Sequence, residues 1–178
     1  MGNPIEPWLR GTLMEYDAVR RQVLHALELA AEDVERWCWG LSDEEMEARP
    51  FGVASVGFHL RHIARSLDRL LTYAEGRELS GLQLAALSTE LSAPPNAAAV
   101  LSEFRTLIPL ASHRVKSFEP EVFEEPRVVG RKRLPATVGG LLVHCAEHTQ
   151  RHVGQAITTA RIVTAMRAKL VLPNLDPP

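Results

Sequence analysis

The chain has 178 residues, 46% apolar and 24% charged, with 20 basic against 22 acidic side chains and a net charge of −2. That suits a single globular domain, large enough to fold without disulfides or a structural metal. The near-neutral balance excludes a strong electrostatic claim on nucleic acid or anionic membranes.

Met1-Gly2-Asn3-Pro4-Ile5-Glu6-Pro7 lacks the basic start and apolar run of a signal peptide. Glu6 also makes the Met-Gly start a poor myristoylation match. Residues 8–39 predict one long amphipathic helix, with Leu13, Tyr16, Val19, Val23, Leu27, Ala30, Val34 and Trp37 in steps of three and four, ended by Gly40. A short acidic turn capped by Ser42 follows, and Pro50 and Gly52 break the chain.

A second helix is predicted from about Ser55 to Ala74, stopped by Gly76, with Val56, Leu60, Ile63, Leu67 and Leu70 as its stripe. Ser80, Leu82, Leu84, Leu87 and Leu91 predict a connecting helix ending before Pro94-Pro95. The third long helix begins near Asn96, through Leu101, Phe104, Ile108, Ala111, Val115 and Phe118, with a kink or break expected at Pro109. Residues 119–136 have no helical period and read as a long loop, with Arg127-Val128-Val129 at most a short extended piece. The last helix runs from about Thr137 to about Lys169, before an irregular tail. The expected fold is all-α, a four-helix bundle with a long crossover loop before the last helix.

No apolar window approaches the roughly 20 residues that span a bilayer. Cys38 and Cys145 are far apart and form no CxxC, so the expectation is a reduced, cytoplasmic protein.

The one unusual count is seven histidines, against two tyrosines and two cysteines. On the last helix the stripe Leu141, Cys145, His148, His152, Gln155, Thr159, Ile162 and Met166 places two histidines one turn apart at core positions. An i, i+4 pair projects both imidazoles from one face, near enough to share a cation. Two core histidines hydrogen-bonded to neighbouring helices would explain the same spacing, so a third ligand from another helix decides. His59 and His62 flank the second helix's stripe, and the period does not choose between them. Three neutral imidazoles with an open fourth position are the arrangement of a catalytic rather than a structural zinc site. His25 and His113 fall off their stripes and read as solvated, and His144 sits beside the stripe. Cys145 reads as a small apolar core residue, Glu147 and Arg151 as a surface pair, and Gln155 as a group able to orient a ligand or bound water.

Three stretches together carry a family resemblance. They are Ser55-Val56-Gly57-Phe58-His59-Leu60-Arg61-His62-Ile63-Ala64, the run from Leu67 to Arg77, and His148-xxx-His152-Val153-Gly154-Gln155. With them the whole chain, 1–178, resembles a single DinB-like domain, of the DNA-damage-inducible type of four-helix metalloprotein, with an irregular tail from about 170. The resemblance implies a divalent metal, expected to be Zn or Ni, held by His62, His148 and His152; His59, His144 and Gln155, from their helix positions, are the candidates to flank it. Val153 stands where the family pattern often has Arg, a change expected to alter the surface next to the site. The resemblance also implies a homodimer and a metal-dependent thiol S-transferase using a low-molecular-weight thiol. The alternatives are a non-catalytic metal-binding stress or interaction protein and a metal-dependent hydrolase, and the sequence offers no convincing general base.

Overall fold

The structure is a computed structural model describing residues 5–90 and 96–171. Its regular elements are α1 (Ala18–Cys38), α2 (Asp43–Glu47), α3 (Val56–Ala74), α4 (Gly81–Ser88), α5 (Ala97–Lys116), β1 (Pro126–Val129), β2 (Leu134–Thr137) and α6 (Val138–Val171), with 3₁₀ turns at Pro7–Leu9, Pro50–Gly52 and Pro120–Val122. The chain is mostly helical. Each of the four long helices packs on two others, in the order α1, α6, α3, α5 and back to α1.

Polar residues set the helix starts. Ser42, Ser55, Ser80 and Asn96 each accept a hydrogen bond from a first-turn backbone N–H, and Ser42 and Ser80 complete capping boxes with Glu45 and Gln83. The apolar stripes then close one core. Val23, Leu24, Leu27 and Val34 of α1, Leu60, Ile63, Leu67 and Leu71 of α3, Phe104 of α5 and Leu142 of α6 are all buried in it.

The first helix is shorter than its apolar period suggests. Gly11 and Leu13 adopt left-handed φ values of 67° and 59°, which no helix accommodates. The helix starts only where Asp17 accepts from the backbone N–H groups of Val19 and Arg20. Leu13 and Tyr16 still pack on the core, partly buried and outside any helix. Trp37 is exposed, with the guanidinium groups of Arg36 and Arg161 each against its ring, while Cys38 takes the core position.

Two further expectations change. Of the kink or break expected at Pro109, the break does not occur, because α5 is one continuous helix across it, its core face held by Phe104, Ile108 and Ala111. Residues 119–136 are not simply a loop, because β1 and β2 pair antiparallel with Val129 opposite Leu134. Gly130, at a left-handed φ of 69°, and Arg133 turn the hairpin. Arg127 donates from Nε to the Ala74 carbonyl at 2.8 Å, tying the hairpin to the end of α3. Leu91, Pro94 and Pro95, and the tail from 172, lie outside the described residues. No described helix is long and apolar enough to cross a membrane.

Candidate metal centre

α3 and α6 pack side by side and each presents two histidines to the other. His62 Nε2 stands 3.0 Å from His148 Nε2, and His59 Nδ1 stands 3.0 Å from His152 Nδ1. The ring centroids of His62 and His152 lie 4.5 Å apart, as do those of His148 and His152. One ligand atom from each of His62, His148 and His152 can be chosen so that all three lie within 4.8 Å of one another. Nitrogens bound tetrahedrally at 2.0–2.1 Å to one ion would be separated by about 3.3 Å, so small side-chain shifts bring this group to ligand spacing.

The face that α6 turns to the core differs from the expected stripe. Leu142, Cys145, Thr149, Val153, Ala156 and Ala160 are buried, whereas Gln155 and Met166 are exposed. His148 and His152 therefore stand on the shoulder of the buried face, half-buried. Val153 packs in the core at 1% exposure, so its departure from the family pattern alters packing rather than the surface.

Behind His62 lies a residue that helix periodicity did not reveal. Glu90, 6% exposed, accepts from His62 Nδ1 at 2.8 Å. A carboxylate only accepts, so the proton of a neutral His62 sits on Nδ1 and its Nε2 lone pair faces His148. Arg69 donates to both Glu90 oxygens at 3.3 Å and to Ser66 Oγ at 2.9 Å. Burial works to raise the Glu90 pKa, but the hydrogen bond from His62 and the charge of Arg69 outweigh it and hold the carboxyl below its usual range. Phe58 stacks on the His62 ring at 5.4 Å and 12°.

Burial first, and the neighbouring imidazoles second, push His148, His152 and His59 down to about 4. At neutral pH these rings are uncharged and each keeps a lone pair. His148 Nδ1 is buried with no hydrogen-bond partner, so the cluster by itself leaves one of its nitrogens unmet. Converging imidazoles, a carboxylate behind one of them and an unmet buried nitrogen fit a divalent cation.

The other histidines divide. His59 is buried against His152 and also lines an open groove of about 520 Å³ with Val53, Ala54, Gln155, Thr158 and Ile162. Gln155 is exposed in that groove, and among the described residues no hydrogen bond joins it to the three histidines. His144 is 43% exposed, pairs with Glu147 at 3.3 Å, and lies 5.6 Å from His148 between ring centroids. His113 is exposed. His25, expected in solvent, is buried at 4% exposure with Nδ1 3.2 Å from Glu28, because the buried face of α1 is broad enough to take in Leu24, His25 and Leu27 together. Cys145 is fully buried and stands outside the cation-holding group.

With this geometry established, comparison with known proteins identifies the class. A family model of the DinB superfamily matches residues 14–156, and the chain belongs to that superfamily. No curated protein and no solved structure matches it.

Proposed function

We propose that this protein binds one divalent metal ion, Zn²⁺ or Ni²⁺, through His62, His148 and His152, and that it is a metal-dependent enzyme transferring a low-molecular-weight thiol to an electrophile. The convergence of three imidazoles from two helices, with His148 and His152 uncharged at neutral pH, carries this reading. Three protein nitrogens leave a tetrahedral ion one position for a small molecule. An ion bound there supplies Lewis acidity, which lowers the pKa of a coordinated thiol.

The chain's own residues supply orientation and enclosure. Glu90 fixes the His62 ring from behind, and Phe58 covers its face. His59 braces His152 and lines the groove, whose Val53, Ala54 and Ile162 walls suit the apolar part of an electrophile. A homodimer belongs to the same proposal. Trp39, just past the end of α1, and Leu110 on α5 are half-exposed and offer apolar surface for it.

Elemental analysis of the purified protein tests the metal, with about one ion per chain expected and His148→Ala abolishing uptake while helical content stays intact. A screen of thiols against electrophiles such as halogenated aromatics tests the enzyme, with His62→Ala as control. Equal turnover by wild type and variant would sink metal-centred catalysis.

A further inference from the structure

We propose that Glu90 is the positioning residue of the metal centre, holding His62 in the tautomer that turns its Nε2 lone pair toward His148 and His152, with Arg69 holding Glu90 in turn. The proposal rests on the metal-binding reading above and adds to it a residue remote in sequence from all three ligands.

α4 has no buried residue, so apolar packing does not bring Glu90 to the site. Polar side chains of α3 do. Arg61 Nη2 donates to the Thr89 carbonyl at 3.2 Å, and Arg65 Nη1 to the Ala86 carbonyl at 3.0 Å. His62 and Arg69 grip the Glu90 carboxylate itself, at 2.8 Å and 3.3 Å. From the other end of α4, Gln83 Nε2 donates to Asp68 Oδ2 at 2.8 Å and to Thr72 Oγ1 at 2.9 Å. One polar face of α3 thus straps down the segment that delivers a buried carboxylate to the back of one imidazole.

That placement has a chemical consequence. A histidine can present Nε2 as a ligand only when its proton sits on Nδ1, and an acceptor behind Nδ1 selects that form. A carboxylate there also makes the ring a stronger donor, and losing such a partner typically costs 10–100-fold in metal affinity. If Glu90 served only to anchor α4, its loss would lower the stability of the metal-free protein and leave metal affinity unchanged.

The test measures Zn²⁺ affinity by competition with a chromophoric chelator for wild type, Glu90→Gln, Glu90→Ala and Arg69→Met, each first checked for folding by circular dichroism. Affinity is expected to fall roughly 10–100-fold in Glu90→Ala and by less in Glu90→Gln, whose amide oxygen still accepts. Arg69→Met should fall between wild type and Glu90→Ala. Nitrogen NMR of metal-free wild type, which needs no variant to fold, should find the His62 proton on Nδ1. Wild-type affinity in Glu90→Ala, or a His62 proton on Nε2, overturns the positioning role alone. Failure of the wild type to take up Zn²⁺ overturns the metal reading and this proposal with it.

Discussion

His62 on α3 and His148 on α6, separated by 86 positions in the chain, bring their Nε2 atoms to 3.0 Å. Two neutral imidazoles at that distance make one N–H···N bond at most, whereas a shared cation engages both lone pairs. A ligand spanning α3 and α6 also links two helices of the packed ring, so binding reports on the whole fold. If Zn²⁺ binds only the folded chain, an excess of 100 times Kd adds about 2.7 kcal/mol. For a chain of this size that raises the melting temperature by about 5–10 °C. A chelator should reverse the shift, and His148→Ala should abolish it. No shift in differential scanning fluorimetry would count against the site.

Cys38 and Cys145 make a separate prediction because both are fully buried. Burial pushes each thiol up to about 12; Asp33 adds to the effect at Cys38, and Arg114 only partly opposes it at Cys145. Both stay protonated at pH 8 and out of reach, so neither is a ready nucleophile. Ellman's reagent should find no fast-reacting thiol in the native protein and two in urea. Rapid native labelling of Cys145 would place that sulfur at an open site.

At the start of α1, Asp17 both caps the helix and pairs with Arg20, which in turn donates to the Lys116 and Phe118 carbonyls at the end of α5. Burial works to raise the Asp17 pKa. The Arg20 side chain and the Arg20 and Val19 N–H groups outweigh it, so the folded value lies below the usual one. A depressed carboxylate stabilises fully above its unfolded pKa, about 3.9, and loses that contribution as pH falls through the folded value. Asp17→Ala should cost about 1 kcal/mol at pH 7 from the cap. Asp17→Asn keeps the cap and removes the charge, so its deficit against wild type should be largest at neutral pH and vanish in acid. Urea titrations across pH measure both, and a deficit in Asp17→Asn that grows on acidification would contradict the sign.

The parts legible in sequence were those set by local chemistry. Leu60, Ile63 and Leu67 are buried as the period of α3 requires, and Ser42, Ser55, Ser80 and Asn96 start their helices where capping predicts. Local pattern failed where tertiary packing used the same residues differently. Leu13 and Tyr16 extend the apolar period of α1 and reach the core without being helical. The hairpin strands, four residues each, are too short to show alternation among prolines. His59 and His62 were indistinguishable by period because both face α6, each meeting a different histidine there. Glu90 lies 28 positions from His62, just past α4, which buries no residue, so no apolar period places it at the site.

Thr149 yields a stability prediction of the opposite sign to most core substitutions. It follows His148 directly, yet faces the core at 0% exposure, and its hydroxyl has no hydrogen-bond partner. An unmet buried hydroxyl costs about 1–3 kcal/mol, and valine has the same branched shape without it. Thr149→Val should therefore stabilise the fold by about 1 kcal/mol, read as a higher urea midpoint with unchanged slope. Because Thr149 stands outside the group of residues that could hold the ion, Zn²⁺ affinity should stay at the wild-type value. A destabilised Thr149→Val would mean that the hydroxyl is satisfied by buried water, and a change in metal affinity would mean that the core beneath His148 sets the ring's position.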